Sequence, residues 1–277
     1  MVKDAPLDSV KSMPSLAVQD MLAQEERRVT ALRIVYLAVA IAMLIFSGIQ
    51  SDLSFIELAE GTGTMAENIV KYFPPEFANW KLYLEETIES ISMGIWGTLL
   101  AAIFGVPFGI LASENIFPQW VVFPVRRFLD AMRAINELVF ALILITAVGL
   151  GPFAGVLALF IHTLGTLGKL FSEAIEAIEP GPVEGIRSTG ATKLQEILFG
   201  ILPQVMPLWI SFTLYRFEAN IRSASVLGVV GAGGIGVSLF QSIRAFNYPQ
   251  VCAILIILIT TVSLIDTISA RLRQRLI

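Results

Sequence analysis

The chain has 277 residues, of which 55% are hydrophobic and only 15% charged, and its mean hydropathy is +0.74. A soluble domain carries about 25% charged residues, so these values exclude an ordinary soluble domain and indicate an integral membrane protein. The net charge of -4 offers no basic surface for nucleic acid, and the single cysteine, Cys252, excludes a disulfide framework and a Cys-based metal site and reads as a packing residue.

Residues 1–30 form a polar leader with Asp4, Asp20, Glu25 and Glu26. A secretory signal is basic at its start and then apolar, so no cleavable signal is expected. A bilayer core about 30 Å thick needs roughly 20 apolar residues in helix. By that ruler the chain is all-α, with about six transmembrane helices near 32–49, 91–112, 138–150, 152–175, 202–221 and 251–270. The third stretch is short, and Gly149 to Pro152 leave almost no loop before the fourth, so these two read as a tight hairpin and five spans is the alternative. The resulting organisation is a leader (1–30), a first transmembrane helix (31–50), an external acidic segment (51–90) and a transmembrane domain (91–277).

Arginines in short loops mark the cytoplasmic side. Arg27, Arg28 and Arg33, then Arg126, Arg127 and Arg133, then Arg271, Arg273 and Arg275 all fall inside if both termini are inside. Residues 51–90 carry Asp52 and seven glutamates, from Glu57 to Glu89, against Lys71 and Lys81, and belong outside. The segment between spans four and five is then cytoplasmic.

Small residues four apart, Gly105 with Gly109 and Gly151 with Gly155, let helix backbones approach closely, and Pro107 should kink its helix. Gly231-Ala-Gly-Gly-Ile-Gly236 matches a dinucleotide-binding fingerprint, but such a site needs a soluble βαβ unit and an acid about 20 residues on. The next acid is Asp266. The segment reads instead as irregular backbone buried in protein or lining a cavity. No Walker A spacing occurs, so the chain does not bind ATP by that route.

The most informative stretch is polar, from Glu184 to Pro203. Pro180 and Pro182 end the preceding helix, Val183 to Ser188 can form a short helix, and Gly190 permits a reversal. Thr192 can cap a second helix through Leu194, Ile197 and Leu198, and Pro203 opens span five. The product is a helix-turn-helix elbow over 180–203. Its sequence resembles the signature of ABC importer permeases, with Glu184, Gly190, Leu202 and Pro203 in register. Gly185 and Ile186 stand where that signature has two alanines, and Gly200 stands where it has isoleucine. The residues from His162 to Glu176, from Glu179 to Glu184, from Leu202 to Pro207 and from Tyr215 to Gly236 are similar to the phosphonate branch of that family, within the broader methionine-importer-like permeases.

The resemblance implies a multi-pass subunit of a bacterial inner membrane, with no chemistry of its own, that forms the path of a phosphonate importer. Phosphite, hypophosphite or phosphate are the alternative cargoes. It implies a cytoplasmic ABC ATPase dimer carrying the ATP and magnesium, an external substrate-binding protein, a second copy of the chain and surrounding lipid as partners, with no cofactor in this chain. Glu184, Arg187, Gly190, Leu202 and Pro203 are the expected ATPase-coupling residues.

Ionisable residues within spans tend to pair or to line a pathway. Glu218 and Arg222 are four apart and can pair along one helix face, while Arg216 and Asn220 project from a nearly opposite face. Arg216, Glu218, Asn220, Arg222 and the lone His162 are therefore the candidate path or gate. Either arginine, near the outer end, suits an oxyanion. Lys169 with Glu173 and Arg133 with Glu137 repeat the four-residue spacing and read as salt bridges. An intramembrane hydrolase using His162 with Ser211 or Ser238 is the reading from another class, but no G-x-S-x-G motif accompanies it.

Overall fold

A computed structural model describes the backbone of residues 15–274 and the side chains from Arg27 onward except Phe55 and Leu58. Asp4 and Arg275 lie outside the described residues. The described regular structure is helical throughout: α1 (Ser15–Gln50), α2 (Phe55–Val70), α3 (Trp80–Leu111), α4 (Gln119–Ala134), α5 (Glu137–Val148), α6 (Pro152–Glu176), α7 (Pro180–Ser188), α8 (Lys193–Gln195), α9 (Leu202–Leu227), α10 (Gly236–Arg244) and α11 (Tyr248–Gln274).

The chain divides into two units at Glu67 and Asn68. In the first, α1 begins at Ser15, so the described part of the leader is helical; Ala, Leu, Gln, Glu and Arg are strong helix formers. Its residues from Ile34 to Ile49 expose large apolar side chains on every face, the pattern of a helix that meets lipid. The helix stops at a turn where Asp52 takes φ 47°, and the Ser54 hydroxyl accepts the Glu57 N–H to start α2.

In the second unit α6 is the central helix, packed against α3, α4, α5 and α9. Its small residues allow this. A Cβ on Gly165 would lie 2.6 Å from the Leu129 carbonyl and 2.7 Å from the Arg133 nitrogen, so α4 crosses directly over that glycine. The expected small pair on α3 behaves similarly, since Gly105 and Gly109 both receive the Phe171 ring or its Cβ. Phe171 in turn stacks on Trp209 with centroids 4.6 Å apart, and the indole donates to the Phe171 carbonyl at 3.3 Å. The other expected pair is not one: Gly151 precedes α6 at φ 132°, and only Gly155 packs within the helix.

At the middle of this bundle Asn220, 1% exposed, joins three helices. Its amide donates to Thr98 Oγ1 at 2.8 Å, and its carbonyl accepts from Thr163 Oγ1 at 2.9 Å. Asn220→Ala removes both bonds and leaves the Thr163 hydroxyl without its acceptor, while Thr98 keeps its bond to the Gly94 carbonyl; the change should cost about 1–2 kcal/mol, read as a lower unfolding midpoint of the detergent-purified chain in mixed micelles.

Among the described residues five helices are long and apolar enough to cross a membrane, or six if the pair α4 and α5, bent by 89°, is one broken span. The expected third span corresponds to α5, whose 12 residues reach only about 18 Å. Ile135 is extended and Asn136 caps α5 through Leu138 N–H. Gly149 at φ 89° and Gly151 then turn the chain straight into α6, the expected tight hairpin. The helix that carries the second span starts at Trp80, ahead of residue 91, so Glu85, Glu86 and Glu89 lie on the first turns of α3.

Glu86 and Glu89 serve the Gly-rich segment and the helix that follows it. Gly231, Gly233 and Gly234 all have positive φ, and the hairpin they form is buried at Ala232 and Ile235. Glu89 Oε1 accepts the Gly234 N–H and Ser90 Oγ the Ile235 N–H, each at 3.0 Å. Ser238 Oγ donates to Glu86 at 2.8 Å. The segment is irregular backbone held by side chains, as expected, and Cys252 is buried.

Candidate functional site

The elbow occupies Pro180 to Pro203. Pro180 sits at the first position of α7, where its missing N–H costs nothing, so the prolines start the elbow's first arm as well as ending α6 at Glu176. Gly190 takes φ 81° and reverses the chain. Thr192 begins the second arm from an extended conformation, its N–H donating to Gln195 Oε1 at 2.8 Å.

The second arm departs from expectation. It has one α-turn, Lys193–Gln195, and then six residues of π-helix, Glu196–Ile201, that run without a break into α9. Pro203 sits in the first turn of α9, as expected, but the π turns lead into that helix without a break. It has no N–H to donate four residues back, and the wider π turns absorb that loss. Gly200 is where the arms touch: a Cβ there would meet Val183 Cα at 3.2 Å.

A bidentate ion pair closes the elbow. Arg187 Nε and one terminal nitrogen each lie 3.0 Å from a different oxygen of Glu196, and Lys193 Nζ approaches the same carboxylate at 3.7 Å. The Glu196 side chain is 8% exposed. Arg187 is thus committed to holding the elbow's shape, and its partner Glu196 is not among the residues expected at the elbow. Its signal was an acid across the Gly190 turn from Arg187. Glu184 is exposed in the middle of α7 and caps nothing, since Glu179 occupies the cap position. Between the arms and the α3–α4 loop lies a cavity of about 370 Å³, lined by Asn115, Glu176, Glu184, Arg187 and Glu196 among others. Arg126 anchors that side by donating to the Ala112 carbonyl, Glu114 and Glu176.

The candidate path residues are arranged differently from expectation. Glu218 does not pair with Arg222. Arg273 donates to Glu218 at 2.8 Å, and Arg222 meets Asp266 at 3.3 Å, so both α9 residues are claimed by α11. Asn220 is buried in the helix crossing. Lys169 and Glu173 do pair, at 3.5 Å. Arg133 and Glu137 do not: the break at Ile135 separates them, and Arg133 binds Asp130 at 2.8 Å. His162 Nδ1 lies 2.9 Å from the Ile135 carbonyl and Nε2 lies 3.7 Å from Glu137. Among the described residues no hydrogen bond joins His162 to Ser211 or Ser238, and Ser238 serves Glu86.

A family model described as binding-protein-dependent transport system inner membrane component matches residues 105–277, which includes the elbow, α9 and α11. The chain belongs to this family. It is therefore an inner-membrane permease component, and the match spans the elbow. The permease is 67% identical over 121 residues to the putative cryptic phosphonate transport system permease protein PhnE2 of Escherichia coli K12, covering 44% of this chain and 99% of the relative. It is 39% identical over 218 residues to the phosphite transport system permease protein PtxC of Stutzerimonas stutzeri, covering 78% and 79%. Among solved structures, a chain of the MetNI methionine ABC transporter superposes with a TM-score of 0.65 at 20% identity, covering 73% of this permease and 99% of that chain. That likeness shows the fold.

Proposed function

We propose that the permease is the non-catalytic membrane subunit of an ATP-driven importer of phosphonates or phosphite, working as a homodimer with a separate ATPase dimer and an external binding protein. Both termini are cytoplasmic, as is the elbow, and ATP and magnesium reside on the ATPase. The observation that carries the reading is the elbow's construction. Gly190 reverses the chain, the Arg187–Glu196 pair fixes the angle between the arms, and π-helix joins the second arm to α9. A load on the elbow is therefore delivered directly to a transmembrane helix. Glu184, exposed one turn before Arg187, supplies a charge for the ATPase surface to grip. Leu202 and Pro203 lie at the junction through which the movement passes.

The cargo assignment draws on the names of the relatives, phosphonate for PhnE2 and phosphite for PtxC. Both ligands are tetrahedral phosphorus oxyanions. Proteoliposomes containing the permease, its ATPase and its binding protein are expected to take up labelled methylphosphonate or phosphite only with ATP inside the ATPase compartment. Uptake without nucleotide, or without the ATPase, contradicts the proposal.

A further inference from the structure

The two sides of the break between α4 and α5 are fastened to different helices. Ile135 and Asn136 are both extended. The first N–H groups of α5 go to Asn136, that of Leu138 to its side chain and that of Val139 to its carbonyl, which leaves the Ile135 carbonyl outside the helix. His162 of α6 takes that carbonyl, with Nδ1 at 2.9 Å, and since a carbonyl only accepts, Nδ1 carries the proton. Its Nε2 is 3.7 Å from Glu137, beyond hydrogen-bond reach. On the other side, Glu137 opens α5, and its Oε1 accepts the Ser223 hydroxyl of α9 at 2.6 Å, the length of a charge-assisted bond. The far end of α5 is tied to the chain that follows α9. Gly149 and Gly151 have positive φ, the Gly151 N–H donates to the Gly231 carbonyl at 3.0 Å, and a Cβ on Gly231 would lie 2.6 Å from Leu150 Cδ2. Between these ties α5 buries one residue, Ala141.

We infer that α5 travels with α9 and turns at Ile135 and Asn136, and that the Glu137–Ser223 bond is the contact that carries the movement of α9 to α5. The inference rests on the reading of the chain as an ATP-driven permease and supplies the step after the elbow. The second arm of the elbow runs through π turns into α9, whereas α6 ends at Glu176, before the elbow begins. A load on the elbow therefore shifts α9 against α6. Ser223 then pulls the Glu137 side of the break while His162 holds the Ile135 side on α6. The rotation falls on the extended pair between them, and such short segments between helices are where hinges absorb φ/ψ change. Gly149 and Gly151 give the second pivot, between α5 and α6. A hydroxyl–carboxylate bond suits the joint because it is directional and gains strength in a low dielectric. Glu137 and Ser223 are thus positioning residues for transport, acting through α5 rather than on the cargo.

The test is the amount of labelled phosphite or methylphosphonate imported per phosphate released, measured in proteoliposomes that hold the permease and its ATPase with loaded binding protein. As a ratio it cancels differences in the amount of assembled complex. Ser223→Ala removes the hydroxyl and is expected to lower the ratio about fivefold, while Ser223→Thr keeps a hydroxyl and is expected to restore it. Glu137→Ala should match Ser223→Ala, and the double variant should fall no further, because both changes remove the same bond. A purely structural bond instead lowers the unfolding midpoint and leaves the ratio at the parental value. A parental ratio in Ser223→Ala, or losses that multiply in the double variant, overturns the inference. If Glu137→Ala fails to assemble with the ATPase, the two serine variants decide, and equal ratios in Ser223→Ala and Ser223→Thr overturn it. Failure of the underlying reading looks different: the wild-type complex with its binding protein then imports neither ion.

Discussion

Glu184→Lys is expected to leave the permease in the membrane and to uncouple ATP hydrolysis from uptake, lowering transport about tenfold or more. The residue is exposed on α7 and makes no hydrogen bond among the described residues, so its replacement strands no buried partner. The fold should survive, since surface changes away from caps and cores cost little. What changes is the charge offered to the ATPase. A lysine there also stands one turn from Arg187, adding repulsion next to the pair that sets the elbow's angle. The measurement is labelled-phosphonate uptake alongside phosphate release, with membrane level checked by immunoblot. Normal uptake by this variant with its ATPase bound contradicts a docking role for Glu184.

The largest effect on assembly is expected from Gly236→Val. A Cβ at that position would lie 2.0 Å from the Ser225 carbonyl and 3.0 Å from Gly228 Cα, all backbone atoms of the crossing between the end of α9 and the start of α10. Backbone cannot move aside as a flexible side chain can, so the substitution should cost about 3 kcal/mol or more. The permease should then fail to accumulate in the membrane. Gly185→Ala is the matched comparison. Nothing lies within 4 Å of its Cβ position, and alanine in the middle of α7 improves helix propensity by about 0.8–1.0 kcal/mol. That variant should accumulate and transport as the parent does, and a loss comparable to that of Gly236→Val would contradict the packing account.

The elbow was legible because its punctuation is made of residues with few conformational options. Pro180 can start a helix but not continue one, Gly190 accepts a positive φ, and Thr192 caps; each acts locally and shows in sequence. The resemblance to permeases rested on Glu184, Gly190, Leu202 and Pro203, and the family match covers them. The break at Ile135 and Asn136 was not legible, because neither residue forbids helix. The π turns before Pro203 were hidden for a related reason: the proline signals a missing donor, not how the helix absorbs it. Pairing rules based on four-residue spacing failed at Glu218 and Glu137, since the true partners, Arg273 and Ser223, are 55 and 86 positions away. They held at Lys169 and Glu173, where one uninterrupted helix carries both charges.

We propose that this permease performs no hydrolysis and draws its energy through the elbow from a separate ATPase. Phosphate release measured for the purified permease alone, for the permease–ATPase complex, and for that complex with loaded binding protein tests it most directly. The account predicts no release by the permease, basal release by the complex, and a rise when the loaded binding protein is added. Hydrolysis by the permease alone, or release by the complex that ignores the loaded binding protein, would contradict it.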